Sequence, residues 1–114
     1  MIEALVVTSS ESVGQGLQRL LESEGDIEVV ATLPTVEALG GALDRHHKAA
    51  VILGPGACPS IDEWQRIIGR NGRCRAIVLA AVPGRYRHPR GVVEVPMELS
   101  GVGLRHAVRT CVSG

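Results

Sequence analysis

Apolar and polar positions alternate along the chain in blocks that predict strands and helices in turn. Between the strands lie stretches in which apolar residues recur at helical spacing. The strand blocks are short runs of mainly apolar residues, rich in valine and isoleucine. Such runs are typical of parallel strands covered by helices on both faces. The runs predict five strands, at residues 2–7, 27–33, 49–53, 76–82 and 91–95.

Four helices are predicted, and each follows a residue that can cap its first turn. The capping candidates are Thr8 or a neighbouring serine, Thr35, Ser60 and Ser100. The third of these opens the capping box 60–63, the clearest start signal in the chain. Each helix has its apolar residues on one face: Val13, Leu17, Leu20 and Leu21 in the first, Val36, Leu39 and Leu43 in the second, Ile61, Trp64, Ile67 and Ile68 in the third, and Leu104, Val108, Cys111 and Val112 in the last.

The order of these elements predicts a single α/β domain over residues 1–114. Strands that alternate with helices through right-handed crossovers form a parallel sheet between two helix layers, and the expected strand order is 2-1-3-4-5. One connection departs from this pattern, because only residues 83–90, which include two prolines, separate the last two strands. A crossover needs at least ~10–12 residues. We therefore expect the fourth helix of the alternation to be shortened or missing, with the fifth strand either parallel or antiparallel at the sheet edge.

The net charge of zero conceals a strong asymmetry between the two halves of the chain. Residues 1–63 carry ten acidic and three basic residues, whereas residues 64–114 carry two acidic and nine basic ones, so the halves have net charges of −7 and +7. Asymmetry of this kind indicates charged partners. One hypothesis is a homodimer or head-to-tail association, in which the basic residues of one copy meet an acidic pole on the next, formed by Glu3, Glu22, Glu24, Asp26 and Glu28.

The sequence predicts a cytoplasmic protein that does not enter a membrane. Glu3 interrupts the first apolar run and no basic segment precedes it, so we expect no secretory signal. No apolar run approaches the roughly 20 residues that span a bilayer. The three cysteines, Cys58, Cys74 and Cys111, are odd in number and widely spaced. They indicate reduced thiols rather than a disulfide framework.

The segment 4–21, an apolar strand followed by hydroxyl residues and an amphipathic helix, resembles the opening of a known bacterial domain. The likeness is most specific over 13–30, at residues 16–17, 20–21 and 26–30. Together these stretches are similar to the CheY-like receiver domains of response regulators, above all to those at the front of LuxR-type regulators. The resemblance covers nearly the whole chain. It implies a flavodoxin-like (βα)5 three-layer sandwich and a place in two-component signal transduction.

The resemblance also implies a phosphorylation site, whose functional residues this chain lacks. The family has two acidic residues after the first strand, the phosphorylated aspartate after the third, a threonine or serine after the fourth and a lysine after the fifth. Mg²⁺ prefers anionic oxygens, which hydroxyl groups do not supply. We therefore expect a pseudo-receiver without phosphotransfer, enzymatic activity, metal or cofactor. The residues at the degenerate positions are Thr8, Ser9, Gly54, Ala80 (or Ala81) and Val95.

Contacts with other proteins are then the expected function. The basic loop 85–90 is the main candidate surface, with Arg85, Tyr86, Arg87 and Arg90 as binding residues for an acidic protein, and Arg105 and Arg109 of the last helix join them. The alternative is a solvated loop. Without a helix-turn-helix, nucleic acid is not an expected partner of this domain alone. Two contexts fit: an atypical receiver ahead of a DNA-binding domain, and the receiver-like front of a pilus-assembly ATPase.

A second hypothesis is a sensor that binds a small anion or a nucleotide at the carboxyl ends of the strands. The hydroxyl cluster Thr8, Ser9 and Ser10 precedes a helix N-terminus, which can bind anions but which such residues also cap in the ordinary way. Cys58 is either a loop thiol or a reactive thiol before the third helix. The histidines have no metal-binding spacing and no catalytic triad can be nominated.

Overall fold

The computed structural model describes residues 1–46, 48–54, 63, 66, 75–80, 92–96 and 101–113. Of the predicted third helix, Glu63 and Arg66 are described and both are helical, whereas the rest of its capping box lies outside the described residues. The strands are β1 (Ile2–Val7), β2 (Ile27–Leu33), β3 (Ala50–Leu53), β4 (Arg75–Ala80) and β5 (Val92–Pro96). The α-helices are α1 (Glu11–Glu22), α2 (Leu39–Arg45), which follows a 3₁₀ turn at Val36–Ala38, and α3 (Gly101–Ser113).

The five strands form one parallel sheet in the order β2-β1-β3-β4-β5, which confirms the predicted topology. The open choice for the last strand is settled as parallel, since Val92 lies opposite Ala76 and Pro96 lies opposite Ala80. The connection 83–90, where we expect a shortened or missing helix, lies outside the described residues. Among the described helices, none is long and apolar enough to cross a membrane.

Two apolar layers, one on each face of the sheet, form the core. Because successive strand residues point to opposite faces, β1 and β3 each contribute to both layers, and all four residues of β3 are buried. One layer joins Leu5, Val7, Val51 and Leu53 to Leu39 and Leu43 of α2. The other joins Val6, Ile52 and Ile77 to Leu17 and Leu21 of α1 and to Leu104 and Val108 of α3. The described residues therefore form three layers, with α2 on one side and α1 and α3 on the other.

Helix α1 lies close to the sheet because a glycine faces it. A Cβ atom on the buried Gly14 would lie 3.1 Å from Cγ2 of Thr32 and 3.3 Å from Cγ2 of Thr8. The helix is rotated so that this glycine faces the sheet, and the buried stripe is Gly14, Leu17 and Leu21. Leu20 and Val13, which we predicted on the apolar face, lie at its margin and are 42% and 37% exposed.

The rotation of α1 predicts unequal losses of stability when either of two adjacent leucines is replaced by alanine. Leu21→Ala removes a fully buried side chain and leaves a cavity, so we expect the free energy of unfolding to fall by about 2–5 kcal/mol. Leu20→Ala is the matched control and should cost less than about 1 kcal/mol. Urea unfolding followed by circular dichroism measures both values. Equal losses for the two variants would contradict the placement of α1.

Candidate functional site

The carboxyl ends of β1 and β3 meet where the strand order reverses, which is where ligands bind in open α/β sheets. Thr8 directly follows β1 and Gly54 directly follows β3. The backbone N–H of Gly54 donates to the carbonyl oxygen of Val7 at 2.8 Å, and that of Thr8 donates to the carbonyl oxygen of Leu33 at 2.9 Å. The parallel register thus brings Thr8 and Gly54 together, as their positions after neighbouring strands predict.

Thr8 is buried, and its side chain is used by the start of α1. Its Oγ1 accepts a hydrogen bond from the backbone N–H of Ser10 at 3.2 Å, while its methyl group lies beside Gly14. Ser10 in turn caps α1, since its Oγ accepts from the N–H of Val13 at 3.3 Å. Ser9 is exposed. Two of the three hydroxyl groups therefore hold the helix start, and the role of the cluster in anion binding stays a prediction.

Gly54 is buried in contact with Thr8, and there is little room at this position for a side chain. A Cβ atom on Gly54 would lie 3.1 Å from Cβ of Thr8, 3.2 Å from the carbonyl oxygen of Val7 and 3.3 Å from Oγ1 of Thr8. Contacts this short require the neighbouring atoms to move. Two of the three atoms belong to the side chain of Thr8, and the third belongs to the backbone of β1. A side chain at position 54 and the present position of Thr8 therefore compete for the same space.

The residues at this edge of the sheet do not fit the Mg²⁺ site that the receiver fold implies. Such a site needs carboxylate oxygens in octahedral geometry. Thr8 and Ser9 have neutral hydroxyl groups, and Gly54 has no side chain. Ala80 is buried at the end of β4, and Val95 packs against the core layer shared by α1 and α3. The five degenerate positions that we identified from the sequence therefore carry no carboxylate, either to ligate the ion or to stand in place of the phosphorylated aspartate.

The predicted partner loop, with Arg85, Tyr86, Arg87 and Arg90, lies outside the described residues, as does Cys58. Its role stays a prediction. The other two partner-binding candidates lie on α3 and face the turn between α1 and β2.

Arg105 is buried although it is charged, with 7% of the residue exposed. Its Nη1 donates to the carbonyl oxygen of Leu20 at 2.8 Å and to Oγ of Ser23 at 2.6 Å, and its Nη2 donates to Oε1 of Glu24 at 3.3 Å. The carbonyl belongs to the last turn of α1, where the helix dipole favours a positive charge. Arg105 thus binds the end of one helix from the middle of another.

Arg109, one helical turn further along α3, joins the two acidic residues that flank Gly25. Its Nε donates to Oδ2 of Asp26 at 2.6 Å, and its Nη2 donates to Oε2 of Glu24 at 2.7 Å. The Arg109 guanidinium lowers the pKa of both carboxyl groups below their ordinary values, chiefly through these hydrogen bonds. The two carboxylates in turn raise the pKa of Arg109.

The acidic pole that we predicted as a contact surface is largely engaged within the chain. Besides Glu24 and Asp26, Glu3 lies 3.7 Å from Nδ1 of His46, and Oε2 of Glu22 accepts from the backbone N–H of Val29 at 3.0 Å. Opposite charges from the two halves of the sequence thus meet in one molecule. The sequence contains the parts of this contact, namely two arginines four residues apart on a helix and two acids around a glycine turn. Nothing in the sequence indicated that they face each other.

No protein-family model matches this chain, and no curated protein matches it either. Solved structures do match. The signal receiver domain of the response regulator NarL from Mycobacterium tuberculosis is 14% identical with a TM-score of 0.78, and the alignment covers 99% of this chain and 97% of that one. A LuxR-family two-component response regulator from Aurantimonas sp. is 17% identical with a TM-score of 0.79, over 98% of this chain and 85% of that one.

A third similar structure contains a protein partner. It is the complex of CheX and CheY with BeF3 and Mg²⁺ from Borrelia burgdorferi. The alignment with its matching chain has 16% sequence identity and a TM-score of 0.74, and it covers 96% of this chain and 87% of that one. At these identities the likeness concerns the fold. The chain has the flavodoxin-like fold of response-regulator receiver domains.

The contact between Thr8 and Gly54 predicts that even one methyl group at position 54 is destabilising. Gly54→Ala should lower the free energy of unfolding by about 1–3 kcal/mol, because Thr8 or the β1 end must shift. Gly16→Ala is the control, since a Cβ atom there meets nothing within 4 Å in the middle of α1. It should raise stability by about 0.5–1 kcal/mol. Chemical denaturation compares the variants, and a neutral Gly54→Ala would contradict the crowding.

The ion pairs of Arg109 predict a loss of stability in acid. The pKa values of Glu24 and Asp26 are lower in the folded chain than in the unfolded one, so their contribution is complete above the unfolded pKa and is lost as the pH falls through the folded pKa. The free energy of unfolding should therefore decrease as the pH is lowered below about 4. Asp26→Asn should reduce this slope, whereas Glu37→Gln, an exposed control, should not. Urea unfolding at several pH values gives the slopes, and parallel curves for all three proteins would contradict the assignment.

Proposed function

We propose that this chain is a pseudo-receiver, a receiver fold that accepts no phosphoryl group and acts through contacts with other proteins in bacterial signal transduction. The observation that carries the proposal is the packing of Thr8 against Gly54 at the carboxyl ends of β1 and β3. In the receiver family these positions hold an acidic residue and the phosphorylated aspartate. Here a buried threonine lies so close to position 54 that it would have to shift to admit a side chain there.

The chemistry of the remaining positions supports the same proposal. Ala80 has no hydroxyl group to bond a phosphoryl oxygen, and Val95 has no charge to pair with one. Phosphate is held by charged or hydrogen-bonding partners, and neither of these two side chains supplies one. The described residues, in contrast, retain the five-stranded parallel sheet and its strand order. The scaffold without the reactive groups is suited to binding rather than to catalysis, and we propose that the chain is not an enzyme.

A protein partner in the cytoplasm is the partner class that we propose. The similar CheY from Borrelia burgdorferi is found in a complex with CheX, so this fold presents surfaces that proteins recognise. On this chain we propose the loop 85–90, because its arginines can make charge-assisted bonds to the carboxylates of an acidic surface. Arg105 and Arg109 are less suited to this role, since both already pair with Glu24. The two larger contexts that fit are an atypical response regulator and a pilus-assembly ATPase.

The proposal predicts that the strand ends do not respond to a phosphoryl mimic. We expect the ¹⁵N–¹H signals of Thr8, Ser9 and Gly54 to stay in place when Mg²⁺ and beryllofluoride are added, because no carboxylate there holds the ion. Incubation with acetyl phosphate should leave the mass of the chain unchanged. A receiver domain that retains its acidic residues, treated in the same way, is the positive control. Saturable shifts at the three residues, or a gain of one phosphoryl group, would overturn the proposal.

The same spectra separate the alternative function, a sensor of a small anion or nucleotide. Phosphate, nucleotides and FMN are added in turn, and shifts centred on Thr8, Ser9 and Ser10 with any of them would favour the sensor. If all the spectra are unchanged, the partner is sought by pull-down with the wild-type chain and with a variant in which Arg85, Arg87 and Arg90 are replaced by glutamine. Loss of a partner in the variant would support the loop as the binding surface.

A further inference from the structure

At the β2 edge of the sheet, a side chain of α1 binds one of the backbone groups that point away from β1. Strand β2 pairs with β1, and the strand order places it at the end of the sheet. The N–H of Val29 donates at 3.0 Å to Oε2 of Glu22, the last residue of α1. Alternate N–H groups of an edge strand point away from the sheet, where a further strand can pair with them. Glu22 therefore occupies a group that another strand would need.

We propose that Glu22 is an edge cap, a residue that keeps β2 from pairing with the β2 strand of a second copy of this chain. The edge cap is the carboxylate of Glu22 on the N–H of Val29. A strand that joined this edge would have to displace the carboxylate, whose other oxygen, Oε1, accepts from Nε2 of Gln18 at 3.2 Å. Hydrogen bonds to a charged acceptor are stronger than those between neutral groups, so the displacement is unfavourable.

The sequence of β2 favours strand pairing wherever the edge is open and regular. The strand consists mainly of β-branched and apolar residues, with a single charge at Glu28 and no proline. Segments of this kind associate when a sheet edge leaves them accessible. The register with β1 skips Val30, as in a β-bulge, and a bulge bends an edge and interrupts pairing. The carboxylate thus covers the regular part of β2, which ends at Val29.

A second copy of β2 fits this edge, because an antiparallel pair centred on Val29 is self-complementary. In such a pair each Val29 exchanges both of its outward backbone hydrogen bonds with its counterpart across a two-fold axis. Glu28, the only charged residue of β2, then lies opposite Val30 of the other copy and away from the second Glu28. Like charges directly opposite each other destabilise strand pairs. The charge pattern of β2 is thus compatible with this occupant, and the carboxylate of Glu22 opposes it.

Removal of the carboxylate tests the edge cap, and the same helix supplies a matched control. Glu22→Ala should lower the dissociation constant of the dimer at least about tenfold, because pairing no longer breaks a charged hydrogen bond in each copy. Glu11→Ala changes the net charge equally and also removes a carboxylate that binds a glutamine of α1, so it should behave like the wild-type chain. Sedimentation velocity over a concentration series, up to about 1 mM, compares the three proteins.

Hydrogen exchange of the full chain, followed residue by residue, identifies the surface that pairs. In a dilute solution of Glu22→Ala, the amide of Val29 should exchange at least about tenfold faster than in the wild-type chain, because it has lost its acceptor. As the concentration rises and dimers form, the same amide should become protected again. The amides of β5, at the opposite edge of the sheet, should show no such dependence on concentration.

A second variant separates the reach of the side chain from its charge. Glu22→Asp keeps the carboxylate and shortens the side chain by one methylene group, so it should associate as Glu22→Ala does. If Glu22→Ala stays monomeric while its Val29 amide exchanges faster, the carboxylate only joins α1 to β2 and the edge cap is wrong. Equal association of Glu11→Ala, or a dimer that leaves the Val29 amide unprotected, would overturn it as well. Should Glu22→Ala fail to fold, Glu22→Asp decides by the same two measurements.

Discussion

The parallel pairing of β1 with β3 is the constraint on which both the core and the candidate site depend. The register aligns Ala4 to Val7 with Ala50 to Leu53, so that each strand feeds both apolar layers. The same register ends the two strands side by side and brings Thr8 against Gly54. The site is therefore a direct product of the sheet geometry, and any change at its two residues acts on the strand ends.

The strand ends have a structural role in this chain. Thr8 fills the space beside Gly54, accepts a bond from the backbone of Ser10 and touches Gly14, so a single side chain joins β1, β3 and α1. Packing of this kind stabilises the same place that holds charged, mutually repelling carboxylates in the receiver family. Where no metal has to be bound, a neutral side chain can pack at the strand ends. The neutral Thr8 at this position supports the proposed pseudo-receiver.

The charges of the chain are balanced in space as well as in number. Acidic residues around Gly25 and arginines on α3 are about eighty positions apart in sequence, yet they form the ion pairs that attach the last helix. An asymmetry that pointed towards a partner or a second copy is thus partly neutralised within one molecule. The contact adds a polar attachment to the apolar packing of Leu104 and Val108 of α3.

The sequence by itself determined the strands, their order and the missing acidic residues, because apolar runs, periodicity and residue identity are local properties of the chain. It also placed Thr8 beside Gly54, since strand order and strand ends follow from the same pattern. The tertiary structure alone decided that α1 turns Gly14 towards the sheet and leaves Leu20 and Val13 half exposed, because helix rotation depends on how closely two surfaces approach. It also decided that Arg105 and Arg109 meet the α1–β2 turn. Such pairing requires two distant segments to be folded together, and no local pattern records it.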